Sequence, residues 1–303
     1  MSSLWITRIP LLRELKWYQT KDKKLLHMYK ALSAVDKNHL AKLRKQTGFS
    51  ISNCKKALEM HNNDFEKAET WLQAEAQSQG WEKAMKLSSR KTTQGLVGIH
   101  IEGDKGAMVE VNCETDFVAR NDTFKTLVAQ IARECISSTP SILNHAVTKA
   151  KLSQEQLKTL VTSEGKTLGD VAALAIGSIG ENISLSRAVQ VRGSAGIHLV
   201  GYSHPSTPDQ NLATGKFGVI LALKTSHELS EVARELCIHV IGMNPKTVGT
   251  LSDPKAPNPD EETILVHQEF LVDPTKTVGE VLQEENIEIL DFIRFGMGEQ
   301  NVE

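Results

Sequence analysis

No stretch of this chain approaches about eighteen consecutive apolar residues, so no segment reads as a membrane span. No two of its four cysteines, Cys54, Cys113, Cys135 and Cys237, stand at a metal-like C-x-x-C spacing. Cys113 and Cys135 fall on apolar faces, and all four read as reduced thiols serving mostly as small core residues. Neither G-x-S-x-G nor H-E-x-x-H occurs, and no metal ligands cluster. The ten histidines are scattered. A lone histidine such as His204 at a strand end, or His239 on a helix, is ordinarily structural or solvated. Gly165-Lys166-Thr167 invites a phosphate-loop reading. That loop needs a glycine five positions earlier, where Leu160 stands, and a preceding strand, where the segment looks helical. These absences leave no catalytic constellation, no cofactor site and no metal site, and argue against an enzyme.

What is present is ordinary for a soluble globular protein: 303 residues, 24% charged and 40% hydrophobic, enough for two or three domains. The net charge of −2 is unevenly spread. Residues 1–34 carry seven basic residues (Arg8, Arg13, Lys16, Lys21, Lys23, Lys24, Lys30) against Glu14 and Asp22, a net of +5, which leaves −7 for the remainder. A body at −7 argues against direct nucleic-acid binding, which needs cations to neutralise phosphates. The leader mixes Leu, Ile and Trp with Arg and Lys, and lacks the uninterrupted apolar stretch of a secretory signal. It fits a mitochondrial transit peptide removed between Ala31 and Val35, though it is poorer in Ser than usual; the other reading is a floppy basic terminus.

Residues 38–77 predict a compact three-helix module. Leu40 and Leu43 open the first helix and Thr47-Gly48 breaks it. Ser50 or Ser52 is placed to cap a second helix carrying Cys54, Ala57 and Leu58. Asn63 with Glu66 gives a capping-box-like start to a third, with Phe65, Ala68, Trp71 and Leu72 at helical spacing. So small a module is marginal alone and would lean on a partner surface. Residues 78–94 are polar and basic and read as a connector. Two strands flank Gly103-Asp104-Lys105-Gly106, a hairpin signal, and a helix follows with Phe124, Leu127, Val128, Ile131, Ala132 and Cys135 inward. Residues 137–166 show less pattern, with a loop at Ser-Ser-Thr-Pro and a polar helix over 153–162. Thr167 to Ile179 predicts a helix with Leu168, Val171, Ala172, Leu174 and Ala175 buried, ending at Gly177 and Gly180. Ile183 to Val191 predicts a strand with Ile183, Leu185, Val189 and Val191 on one face. Residues 252–262 form a proline-rich acidic linker. Thr277 with Glu280 starts a short helix, and Ile287 to Phe295 ends the fold as an apolar strand.

A faint internal repeat runs through the body. Gly106 to Val111 followed by Ile131-Ala132-Arg133-Glu134-Cys135 finds an echo in Gly218 to Leu223 followed by Val232-Ala233-Arg234-Glu235-Leu236-Cys237. Both halves read strand, strand, helix. The fold class expected is α+β: a core of two related subdomains with antiparallel sheets, spanning 95–165 and 166–299, behind the N-terminal module. Chance resemblance between two strand–helix units is the alternative.

Thr115-Asp116-Phe117-Val118-Ala119-Arg120-Asn121-Asp122 say most about function. They join the strand Ala107 to Cys113, with Ala107, Val109, Val111 and Cys113 on one face and Glu110 and Asn112 on the other, to the helix beginning near Phe124. An acid and a large aromatic sit side by side on that connection. Phe117 is costly to leave in water and Asp116 costly to bury unpaired. Two readings follow: a projection that enters another molecule, or a plug in which Phe117 fills the gap under its own turn while Asp116 caps the helix.

The run Thr47-Gly48 with Cys54-Lys55-Lys56-Ala57-Leu58 resembles the start of translation elongation factor Ts. So do Val109 to Val118, Ile179-Gly180-Glu181-Asn182-Ile183, and Thr277-Val278-Gly279-Glu280 with Phe292-Ile293-Arg294-Phe295. The motifs keep the family's order from about residue 38 to 299, and with the leader the mitochondrial form is nearest. The resemblance implies a guanine-nucleotide exchange factor for elongation factor Tu in the mitochondrial matrix, with no covalent step of its own. It implies that Asp116 and Phe117 enter the GTPase near its magnesium site, with Thr115 and Val118 beside them among the partner-binding residues. It sets Ile179, Gly180 and His204 against the segment that holds the β-phosphate, and docks the three-helix module on the GTPase domain. Bacterial members carry a long helical insertion used for dimerisation; here Gly242-Met243-Asn244-Pro245 runs into a short linker, so the chain is expected to be monomeric alone and one-to-one with its partner. His204 is followed by Pro205 where the family pattern has glycine. The rival class is a ubiquitin-type binding module, since residues 38–77 also resemble the ubiquitin-associated fold.

Overall fold

The computed structural model describes residues 35–47, 51–139, 141, 145–206, 213–225 and 231–299. The leader and Ser50 lie outside the described residues. The chain divides after Ser78 into two compact units.

The first unit holds α1 (Lys37–Thr47), α2 (Ile51–Met60) and the start of α3 (Phe65–Leu87). Leu43, Cys54, Ala57, Leu58, Ala68 and Leu72 form its core, at the helical spacing that the sequence shows. Asp64, not Asn63, caps α3: its Oδ1 accepts the Lys67 N–H at 3.1 Å. Asn63 instead turns left-handed, with φ 63°, and its side chain accepts the Asp36 N–H at 2.8 Å. Helix α3 runs unbroken to Leu87, so the first part of the expected connector is helical. Its polar residues are good helix formers, and Glu82 pairs with Lys86 one turn on at 2.6 Å.

The second unit contains β1 (Gln94–Glu102), β2 (Lys105–Cys113), β3 (Val147–Leu152), β4 (Ile183–Gly193), β5 (His198–His204), β6 (Thr214–Gly215), β7 (Phe217–Thr225) and β8 (Ile287–Gly296). Its helices are α4 (Asp116–Arg120), α5 (Asp122–Ile136), α6 (Gln154–Thr159), α7 (Leu168–Ile179), α8 (Glu231–Met243) and α9 (Val278–Glu284), besides the end of α3. The strands make a five-stranded sheet, β3-β4-β2-β1-β6, and a three-stranded sheet, β5-β7-β8, with every pairing antiparallel. Helices α4 to α7 cover the outer face of the first sheet. Helices α8 and α9 cover the outer face of the second. Between the sheets lies a third core, with Val97, Met108, Val189 and Val191 against Leu199, Ile220 and Phe295. The sheets approach closely at Gly218, where a Cβ would come within 2.6 Å of Val97 and 2.9 Å of the Met108 sulfur. The α+β class stands, and the expected hairpin turns at Gly103-Asp104.

The internal repeat is visible in the packing. An antiparallel pair followed by a helix on its outer face occurs as β1-β2-α5 and again as β5-β7-α8, with Ala132 and Cys135 buried where the second helix buries Ala233 and Leu236. Residues 166–193, grouped on sequence grounds with the second subdomain, contribute α7 and β4 to the first sheet and its core. Strand β3 escaped the sequence reading because it is an edge strand carrying Lys149 and Lys151.

Strand β4 corrects a simpler expectation. Its register against β2 slips where Glu110 faces Arg187 and Val111 faces Leu185, so Ser186 is an extra residue in a bulge. Ile183 and Leu185 therefore face the helices, while Val189 and Val191 face the other sheet. A strict alternation would have put all four on one side. Within α7, Ala173 and Ile176 are buried, whereas Leu174 is only partly covered.

The second face of β2 is not solvent-facing either. Glu110 is buried and accepts from Arg187 Nε at 2.7 Å and from the Gly298 N–H at 2.8 Å. The Arg187 guanidinium lies 4.2 Å from the Phe295 ring centre. Asn112 accepts a short hydrogen bond from the Ser186 hydroxyl in the bulge. All four cysteines are free and buried, and desolvation pushes the Cys113 and Cys135 thiols up to about 12.

Candidate functional site

At the end of β2 the chain leaves the sheet and enters α4 through Thr115. This residue keeps an extended backbone and caps the helix, its Oγ1 accepting the Val118 N–H at 3.3 Å. Asn121 closes α4 and at once caps α5, its Oδ1 accepting the Thr123 N–H at 2.7 Å. Helix α4 is thus five residues held between two caps. Its inward side is small: Ala119 is buried and Val118 packs against the core. Its outward side carries Asp116 and Phe117. The Phe117 ring is 78% exposed. Asp116 pairs with Arg120 at 2.8 Å, both open to solvent. The plug reading fails on both counts. Phe117 fills no gap, and the capping residue is Thr115.

The end of α7 lies beside this turn. Gly180 takes φ 86° and closes the helix, its N–H bonding the Ile176 carbonyl at 2.9 Å; that left-handed backbone suits glycine. Ile179 packs against the same core as Val118. The next two residues tie the junctions together. Glu181 accepts the Thr115 hydroxyl at 2.7 Å with one carboxylate oxygen and the Thr115 N–H at 3.1 Å with the other. In the opposite sense, Glu114 accepts the Asn182 N–H at 2.7 Å. The Asn182 side chain donates to the Arg90 carbonyl at 2.8 Å, just past the end of α3.

Thr115, Asp116, Phe117, Val118, Ile179 and Gly180 are therefore brought together. His204 is not. It ends β5, exposed, with its ring 6.4 Å from Tyr202, and shares no hydrogen bond with either junction among the described residues. Its carbonyl accepts the Lys216 N–H, and Lys216 Nζ donates to the Gly95 carbonyl at 3.0 Å, next to the pair Gly95–Asn112. His239 is structural. It is buried, its Nε2 bonds Gln268 at 3.0 Å, and its Nδ1 accepts the Leu271 N–H at 3.1 Å. Burial lowers its pKa. Thr167, from the rejected phosphate loop, is the N-cap of α7 in a capping box with Asp170.

The sequence reading missed Glu114 and Glu181 as parts of this site. Both stand next to residues it had chosen. An acid immediately before a strand–helix cap, and another immediately after a glycine C-cap, were the available signals, but only the fold sets them face to face.

Comparison with known proteins gives the family. The family model described as Elongation factor Ts, mitochondrial, N-terminal matches residues 23–82, and that described as Elongation factor TS matches residues 114–256 and 258–299. The mitochondrial elongation factor Ts of Aedes aegypti is 48% identical over 276 residues, 88% of this chain and 90% of the relative. That of Drosophila melanogaster is 47% identical over 274 residues, covering 88% and 86%. The mouse protein of the same name, from Mus musculus, is 41% identical over 277 residues, covering 88% and 85%. With two family models spanning both units and relatives alike along nearly their whole length, the chain belongs to the elongation factor Ts family, in its mitochondrial form.

Proposed function

We propose that the chain is the guanine-nucleotide exchange factor for elongation factor Tu in mitochondrial translation elongation, acting in the matrix without a covalent step of its own. Asp116 and Phe117, based on Thr115 and Val118, enter the GTPase near its magnesium site. Ile179, Gly180 and His204 face the segment that holds the β-phosphate, and the three-helix unit docks on the GTPase domain. A bound diphosphate is held by Mg²⁺ and by main-chain N–H donors, so disturbing both loosens it. By linkage, factor and nucleotide weaken each other's binding by the same factor.

One observation carries this reading: an aromatic ring 78% exposed on a helix that is capped at both ends. An apolar side chain left in water forgoes about 1.5–3 kcal/mol of burial, which a receiving pocket would recover. The test is release of a fluorescent GDP from the GTPase at saturating factor. Phe117→Ala and Asp116→Ala are expected to slow release while the free variants unfold at the normal temperature. Normal release from folded Phe117→Ala would sink the reading. The factor is also expected to sediment as a monomer alone and as a one-to-one complex with the GTPase.

A further inference from the structure

We propose that Glu181 and Glu114 are positioning residues that lock the Phe117 turn and the Gly180 helix end into one presenting surface. The inference rests on the exchange reading above for its functional consequence. Its structural content stands on the two junctions alone.

Each junction is weak by itself. Helix α4 has five residues, too few to be stable on its own propensity. The α7–β4 connection turns through a left-handed glycine. What joins them is an exchange of carboxylates. Glu181 reaches across to the N–H and hydroxyl of Thr115, and Glu114 reaches back to the N–H of Asn182. The bonds run in opposite senses between residue pairs adjacent in each chain segment, so neither junction can rotate without breaking the other's bond. Thr115 is also the cap on which α4 is built. The position of the Phe117 ring is thereby referred to Gly180. Carboxylate-to-main-chain hydrogen bonds are among the stronger ones available for this.

The role is geometric, and this separates it from a role for charge. In Glu181→Gln the amide oxygen can accept the Thr115 N–H while the amide N–H donates to Thr115 Oγ1, which is itself an acceptor. Both links survive without the charge. In Glu181→Ala both are lost.

The experiment uses the full chain with a GDP-loaded mitochondrial elongation factor Tu, and hydrogen exchange on the free factor. Glu181→Ala is expected to cut the maximal GDP-release rate by about tenfold or more, the scale of a catalytic group displaced by a fraction of an ångström. The half-saturating factor concentration should hardly change. Glu181→Gln should restore the rate, and Glu114→Ala should lower it without adding to Glu181→Ala, as groups acting as one unit do. In the free factor, Glu181→Ala should speed amide exchange at Thr115 to Val118 and, equally, at Asn182, whose own acceptor is untouched. Faster exchange at Thr115 alone would show the junctions to be independent and overturn the proposal, whatever the GTPase does. A Gln variant as slow as the Ala variant would overturn it in favour of charge. Phe117→Ala run in parallel separates the two readings. If it slows GDP release and Glu181→Ala does not, only the positioning role fails. If neither does, the exchange reading fails and the amide exchange still decides the coupling.

Discussion

Glu110, Arg187 and Phe295 form an acid–arginine–phenylalanine group inside the second unit; Asp116, Arg120 and Phe117 form another at its surface, just beyond the end of the same strand. The chemistry is nearly identical and the surroundings are opposite. In the first group the acid is 4% exposed, the arginine lies over the ring, and the Gly298 N–H and the Asn112 side-chain amide complete the carboxylate. In the second, the acid and arginine face water and the ring touches little of its own protein. Composition cannot tell these groups apart. Burial does, and it assigns one to holding the fold and leaves the other free to meet something else.

The largest effect should come from breaking the interior group on one side only. Arg187→Ala leaves the Glu110 carboxylate buried without its main counter-charge and should cost on the order of 3–5 kcal/mol in denaturant unfolding. The double variant Glu110→Leu/Arg187→Met should recover much of that loss, because a packed apolar pair replaces the charges. A small loss in Arg187→Ala would erase the contrast.

The histidines extend it. His239 is buried and its pKa is depressed below the ordinary 6.5. The unfolded chain thus binds this proton more readily, so the contribution to stability is complete above pH 6.5 and is lost as pH falls through the lowered folded value. Thermal unfolding should show stability falling below that pH, with a shallower fall in His239→Gln.

The exposed group should respond least. Phe117→Ala is expected to change the stability of the free factor by no more than about 0.5 kcal/mol, against roughly 3–5 for a truncated core phenylalanine. A comparable truncation at Phe124, which is fully buried, supplies the internal standard. Arg120→Ala should cost least, about 0.2–0.5 kcal/mol, as exposed pairs one helical turn apart do. Chemical denaturation of the three variants side by side would order them.

Much of the fold was legible in the sequence for physical reasons. Phe124 to Cys135 repeat at helical spacing because one face is buried, and the capping box at Thr277 and Glu280 satisfies donors that any helix start exposes. What escaped depended on contacts distant along the chain. The bulge at Ser186 is set by pairing with β2, and it reverses the faces of Val189 and Val191. The partnership of Glu181 with Thr115 spans 66 positions and has no local signature. Even the motif that pointed most clearly to function left its own geometry open: both the plug and the projection were compatible with Asp116-Phe117, and it took the exposure of Phe117 and the cap at Thr115 to remove the plug.

Strand β2 is paired along both edges, to β1 and β4, and is covered on both faces. Its amides should be among the last in the molecule to exchange with solvent. The Phe117 ring stands a few residues beyond its end. Mechanically, a stiff element is loaded at its tip. A push against the ring would pass through the capped turn into the least deformable part of the protein, and the compliance would have to come from the body that pushes.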